Sequence, residues 1–299
     1  MSGPAQWLDV KEKGGVLGVR FVVWLCTAFG RGPARAFLAM LCVYYVAFHG
    51  GVRRASRAYL RRVGAPHGFW DVYRHVRTFA RCALDRFFLL KGRGDLFALE
   101  SHGTEHLRAA RDAGRGAVLL GAHLGSFEAM RAQGRNKQYP INIVGYFGNA
   151  RVINAAIEAI DPGSMTRVIE IDPEGTGYIL ALKERVERGE FVAILADRTG
   201  LNARTAEVEL LGGRVKLPVG PYLLAHALRC PVFLTFGLYR DPNRYDLYCE
   251  PFADPLVLER GDREGALQRA AQRYADRLAH HCRLAPDNWF NFYDYWGDA

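Results

Sequence analysis

Two kinds of hydrophobic pattern alternate along the chain. Short uninterrupted apolar runs, "AVLLGAH" (117–123), "INIVGYF" (141–147), "TRVIEID" (166–172) and "FVAILAD" (191–197), predict strands covered on both faces. Segments with apolar residues every three to four positions predict helices: one through about 134, one near 150–160, then "GYILALKERVERG", "VGPYLLAHALR" and the long "REGALQRAAQRYADRLAHHCR". Upstream, "SRAYLRRV" and "GFWDVYRHVRTFARCALDRFFLL" read as helix, Gly/Pro turn and helix, with Val72, Val76, Phe79, Ala83, Phe87 and Leu90 on one stripe. "CPVFLTFGLYR" and "RYDLYCEPF" read as later strands and candidates for antiparallel pairing, and 199–220 reads as turn-rich apart from the helix at its end. Strands alternating with helices predict an α/β fold: a mixed, largely parallel sheet flanked by helices, preceded by an apolar helical hairpin.

That hairpin is formed by the two most apolar stretches, "VLGVRFVVWLCTAF" (16–29) and "AFLAMLCVYYVAF" (36–48), separated by "GRGPAR". Each falls short of the roughly 20 apolar residues a spanning helix needs. No small-residue cleavage site follows, so a removable signal peptide fits poorly. Two readings stay open here, a pair of core helices or a hairpin lying in a membrane interface. Arg53, Arg54, Arg57, Arg61 and Arg62 follow directly, and Trp24, Tyr44 and Tyr45 are amphipathic anchors, which suits a monotopic protein on an anionic leaflet. The chain divides on this basis into an apolar and basic membrane-associating segment, 1–60, and an α/β domain, 61–299.

Charge adds one constraint. Lys and Arg outnumber Asp and Glu by 40 to 31, for a net +9, and nearly all of the positive charge is arginine. A basic surface suits nucleic acid, anionic lipid or an acidic protein partner. The arginines flank apolar segments instead of groove-reading ones, which speaks against nucleic acid. The six cysteines are scattered with no CxxC pair, so no zinc site and no disulfide framework is expected. No G-x-S-x-G elbow, phosphate-binding P-loop, G-x-G-x-x-G or HExxH occurs. His226, His280 and His281 fall in predicted helices and read as structural or surface residues.

The candidate chemistry sits where strands end. In open α/β sheets, ligands bind beyond the carboxyl ends of the strands. "AVLLGAH" ends on His123, and "FVAILAD" ends on Asp197, followed by Arg198. On a continuous helix His123 and Glu128 would stand about 140° apart and could not meet. "HLGSFE" offers another geometry: Gly125 permits a sharp turn, Ser126 is a good N-cap, and Glu128 falls in the first helical turn. Glu128 is then expected to accept a hydrogen bond from one ring nitrogen of His123, leaving the other to take a proton. The bland alternative is a loop histidine and a carboxylate that merely complements the helix dipole.

"GAHLGSFEAMR" resembles the H-x4-D/E block of the lysophospholipid acyltransferase superfamily, closest to the branch of bacterial lipid A secondary acyltransferases. "RGEFVAILADRTG" and "VELLGGRVKLPVGPYLLAHALRCPVF" resemble later blocks of that branch, in the same order along nearly the whole chain. The resemblance implies direct acyl transfer from an acyl carrier protein or coenzyme A thioester to a lipid or glycolipid hydroxyl. His123 would be the general base and Glu128 its orienting acid, with no metal and no cofactor beyond the donor. Asp197 and Arg198, and more weakly Arg214 and Lys216, would hold a headgroup or donor phosphate. The expected site is the cytoplasmic face of the bacterial inner membrane. "PEGT" (173–176) matches the letters of a phosphate-binding block in related enzymes but lacks its strand context, and reads as a helix-entry turn. "APDNWFNFYDYW" (285–296) departs from the branch, which ends in a basic tail. Its aromatics are expected either to form a lid or membrane foot, or to pack on the core. A catalytically inactive lipid- or carrier-binding member is the alternative function.

Overall fold

A computed structural model describes residues 16–136, 139–145, 167–171, 177–199 and 203–297. The helix expected near 150–160 and the 173–176 turn lie outside them. Four helices open the chain: α1 Val16–Phe29, α2 Arg31–Phe48, α3 Gly50–Arg62 and α4 Phe69–Leu90. They are followed by β1 Ala98–His102, α5 Glu105–Asp112, β2 Ala117–Gly121, α6 Phe127–Asn136, β3 Ile141–Gly145, β4 Val168–Glu170, α7 Gly177–Glu187 and β5 Phe191–Leu195. The last elements are β6 Thr205–Leu210, β7 Gly213–Pro218, α8 Gly220–Leu228, β8 Val232–Arg240, β9 Arg244–Ala253 and α9 Arg263–Leu284.

Seven strands form one sheet in the order β1-β9-β8-β2-β5-β3-β4. All neighbours run parallel except the hairpin β8–β9. The predicted mixed, largely parallel sheet flanked by helices is therefore present. Every residue of β2 and all but one of β5 are buried, as continuous apolar runs require when helices cover both faces. The register pairs Gly121 with Leu195, so the two central strands end level with each other.

Three details depart from expectation. The edge strand β1 and helix α5 occupy "ALESH" and "EHLRAARD", a polar stretch read as neither. The 199–220 stretch contains a two-stranded antiparallel hairpin, β6–β7, whose residues alternate buried and exposed. On α4 the expected stripe is only partly right. Val72, Val76, Phe87 and Leu90 are buried, but Phe79 is 46% exposed, while the polar His75 and Asp85 are fully buried.

The N-terminal hairpin turns at Gly30, whose φ of 78° suits glycine. One side packs inward through Cys26, Ala34, Cys42 and Val46; the other leaves Phe21, Trp24, Phe29, Met40, Tyr44 and Phe48 exposed. No single described helix is long and apolar enough to cross a membrane, though α2 and α3, bent by 95°, pass together on length and composition. α2 is fastened to the body by polar contacts. Arg31 donates through Nε and Nη2 to the buried Asp85, each at 2.8 Å, and Tyr245 Oη–H donates to the same carboxylate at 2.9 Å. Arg35 donates to the Pro242 carbonyl and to Tyr239 Oη, each at 2.6 Å.

Candidate active site

Because β2 and β5 are neighbours in register, His123 and Asp197, each two residues beyond its strand, come side by side at the carboxyl edge. His123 Nδ1–H donates to Asp197 Oδ1 at 2.8 Å, and the His123 backbone N–H donates to Oδ2 at 3.0 Å. Asp197 is a pure acceptor when ionised, so the proton on the ring belongs to Nδ1 and the lone pair to Nε2. Nε2 has no hydrogen-bond partner among the described residues, and the side chain is 32% exposed.

Asp197 is fully buried, and its carboxyl is held far below the usual range. Burial opposes ionisation, but the His123 ring, its hydrogen bond, Arg198 and the Trp289 N–H together outweigh it. The His123 pKa moves below its ordinary value because burial and the Arg198 charge outweigh the attraction of Asp197. The ring is accordingly neutral at physiological pH, the form a proton acceptor needs.

The turn after His123 is shaped by glycine. Gly125 adopts φ 70°, and a Cβ there would overlap the Gly237 carbonyl, to which Ser126 N–H donates at 2.7 Å. Ser126 Oγ then caps α6 by accepting from Ala129 N–H at 3.1 Å, as its N-cap position predicts.

Here the expected partnership is corrected. Glu128 sits in the first turn of α6 as predicted, but it makes no hydrogen bond with His123. Its buried carboxylate instead lies 3.1 Å from Arg86 of α4 and 3.7 Å from Arg131. The left-handed turn clamped on Gly237 swings the start of α6 toward α4, while strand register delivers Asp197 to the imidazole first. Asp197 is thus spent on His123 and does not project as a headgroup ligand. Arg198 donates from Nε to Asn291 Oδ1 at 2.9 Å and from Nη2 to the Phe290 carbonyl at 2.8 Å, with Tyr293 beneath its guanidinium. Arg214 and Lys216 stand on the exposed face of β7, opposite Glu209 and Glu207, and no contact joins them to His123 or Asp197.

The aromatic segment, by contrast, comes to the site. Trp289 is fully buried, and its Nε1–H donates to Asp197 Oδ2 at 3.0 Å. Tyr295 Oη–H donates to the Asp197 carbonyl at 2.6 Å, and Phe290 N–H to the His123 carbonyl at 2.9 Å. Of the two expectations for 285–296, packing on the core is the one observed, with Phe292, Tyr295 and Trp296 laid partly buried against it. Nothing in the local pattern assigned Trp289 a partner, since its acceptor lies 92 residues away.

Among the described residues, Glu100, His102 and Asp246 of β1 and β9 are grouped closely enough to hold a cation. Arg240 and Arg244 already flank Asp246 at 2.9 and 3.0 Å, which answers its charge. All six cysteines are buried and free.

A family model described as bacterial lipid A biosynthesis acyltransferase matches residues 96–297 of the 299. No curated protein matches the chain.

Proposed function

Since the chain belongs to the bacterial lipid A biosynthesis acyltransferase family, we propose that it carries a fatty acyl group from an acyl carrier protein or coenzyme A thioester to a hydroxyl of a lipid or glycolipid, with His123 as general base. That the protein is an acyltransferase acting on lipid follows from membership; the donor, the acceptor and the residue roles are the proposal. One observation carries the roles: Nδ1 of His123 is committed to Asp197, which leaves Nε2 open on a half-buried ring at the carboxyl edge of the sheet.

In this reading the acceptor hydroxyl gives its proton to His123 Nε2 as its oxygen attacks the thioester carbonyl. A C–O bond forms, the tetrahedral intermediate collapses with loss of the C–S bond, and the imidazolium returns the proton to the leaving thiolate. Asp197 steadies the imidazolium by charge and holds the ring in the Nδ1–H tautomer. Glu128 acts indirectly, tying the start of α6 to Arg86 and so fixing the turn that presents His123. Arg198, beside the ring and still carrying an Nη1 group with no described partner, is the nearest cation for a donor or acceptor anion. Arg214 and Lys216 have no part in it.

The membrane-facing surface is proposed to be the exposed apolar side of α1 and α2, with the solvent-facing Arg54 and Arg61 of α3 against anionic headgroups at the cytoplasmic face of the inner membrane. A net charge of +9 also suits an acidic carrier protein.

His123→Ala tests the base. Purified protein is given radiolabelled dodecanoyl thioesters of acyl carrier protein and coenzyme A, with a bacterial lipid extract as acceptor. Labelling of lipid should fall at least about 1,000-fold with a near-unchanged melt. Retained transfer by the folded variant would remove His123 from the chemistry.

A further inference from the structure

The Asp197 carboxylate is gripped from a direction that pairing with His123 does not require. Three N–H groups hold it: His123 Nδ1–H on Oδ1, and His123 N–H and Trp289 Nε1–H together on Oδ2. Rotating the carboxylate would break at least two of these bonds, so its plane is fixed with Oδ1 aimed at the imidazole.

Trp289 is itself held by a second histidine. His75 Nε2–H donates to the Trp289 carbonyl at 2.9 Å, and His75 Nδ1 lies 2.9 Å from Ser56 Oγ. A carbonyl only accepts, so His75 carries its proton on Nε2, and Nδ1 accepts from the Ser56 hydroxyl. Ser56 and His75 are both fully buried, and burial pushes the His75 pKa down to about 4, so this ring stays neutral as it works. Tyr59 and Tyr295 enclose the indole at centroid distances of 5.3 and 4.8 Å. Leu124 and Trp289 are joined by a strand-like bridge, and Phe290 N–H is bonded to the His123 carbonyl. The chain around Trp289 is therefore pinned both to the helical layer of α3 and α4 and to the turn carrying His123.

We propose that Trp289 is a positioning residue for acyl transfer: its indole N–H holds Asp197 in the orientation that serves His123, and the Ser56–His75 pair holds Trp289. The inference rests on His123 being the base. A buried tryptophan usually finds some acceptor for its N–H, often a main-chain carbonyl. Here the acceptor is the carboxylate that sets the tautomer and basicity of the imidazole. Losing that donor lets the Asp197 carboxylate rock about its bond to the ring, which costs turnover, and leaves more of its negative charge to the His123 ring and N–H that still hold it. With Arg198 unchanged, the His123 pKa then moves up toward its ordinary value.

The test uses the full chain with the dodecanoyl donors and lipid extract above. Trp289→Phe keeps the ring but removes the donor. Site-specific replacement of Trp289 by 3-benzothienylalanine, with sulfur in place of N–H, keeps the shape more closely and serves if the Phe variant melts early. The expected result for either is a loss of about 10- to 100-fold in kcat with KM changed less than about threefold. The acid limb of the kcat/KM profile should move to higher pH. His75→Leu, which cannot donate to the Trp289 carbonyl, should lower kcat and move the acid limb in the same direction, and His75→Gln, whose amide N–H can replace that of Nε2, should restore most of the kcat. If His123→Ala is inactive while both Trp289 variants keep wild-type kcat and an unmoved acid limb, Trp289 only fills space and the inference is overturned. If His123→Ala is active, the base assignment itself falls, whatever Trp289 does.

Discussion

Asp197→Asn separates the two carboxylates that compete for the role of partner to His123. In the native site Oδ2 receives two N–H donors and Oδ1 receives one. An asparagine has a single acceptor oxygen, and it is drawn to the position with two donors. Its NH2 group then faces His123 Nδ1, which must give up its proton and become the acceptor. The hydrogen-bond count is preserved, but the ring is trapped as the Nε2–H tautomer and presents a donor where the acceptor hydroxyl needs a base. In the serine-protease triad the same exchange costs about 10,000-fold in kcat for this reason, and a loss of about 1,000- to 10,000-fold is expected here. Stability should change far less, by about 1–2 kcal/mol, because no polar group is left without a partner. Glu128→Gln should do the reverse. It removes the charge facing Arg86 and Arg131, lowers the melt, and reduces turnover by no more than about tenfold through a looser α6 start. The assay is thioester-dependent labelling of lipid, read beside thermal melts and nitrogen NMR of the His123 tautomer. Asp197→Asn turnover within threefold of wild type, with Glu128→Gln nearly inactive, would refute the assignment and restore Glu128 as the orienting acid.

Two other predictions concern acid and lipid. His75 titrates near pH 4 in the fold against 6.5 ordinarily, so on acidification the unfolded chain takes up this proton first. Its stabilising contribution is complete above pH 6.5 and is lost as pH falls toward 4, for a total of about 3 kcal/mol; urea melts at pH 7.5 and 4.5 should show the wild type losing more stability than His75→Gln, and parallel losses would contradict this. Trp24 and Phe48 are 54% and 72% exposed on the hairpin, and replacing both by serine should weaken binding to anionic vesicles by about 2–3 kcal/mol, measured by flotation with the acyltransferase melt as control; unchanged flotation would place the membrane surface elsewhere.

Much of this architecture is legible in the sequence. The strands that lead to His123 and Asp197, each of which ends two residues short of them, the Ser126 cap and the need for glycine at 125 all follow from local pattern, because each depends on residues a few positions apart. What escaped is non-local. Nothing in "HLGSFE" says that β5 will be β2's neighbour, in a register that seats Asp197 against the ring before Glu128 can reach it. The same limit hid the Trp289 bond to Asp197 and the burial of His75 and Asp85, polar residues on a helix whose apolar stripe seemed complete without them. β1 was missed for another reason: as an edge strand, most of its residues face solvent and it carries no buried run. The β6–β7 hairpin does leave a signal, since "TAEVEL" and "GRVKLP" alternate with period two, but each run is only six residues long and is bounded by glycine or proline, a composition that turns share.

The Arg31–Asp85 pairing bears on how far the reaction centre can stand from a bilayer. A catalytic domain on a flexible tether samples many heights above a lipid surface, and its encounters depend on tether length. Here Arg31 of α2 and Tyr245 of β9 share the buried Asp85 carboxylate, so the apolar helices are bolted to the sheet and, docked as proposed, would hold the His123 edge at a set elevation. On the membrane docking proposed above, selection among acceptors would include a ruler: a hydroxyl whose depth along the amphiphile matches that elevation would be the one to react.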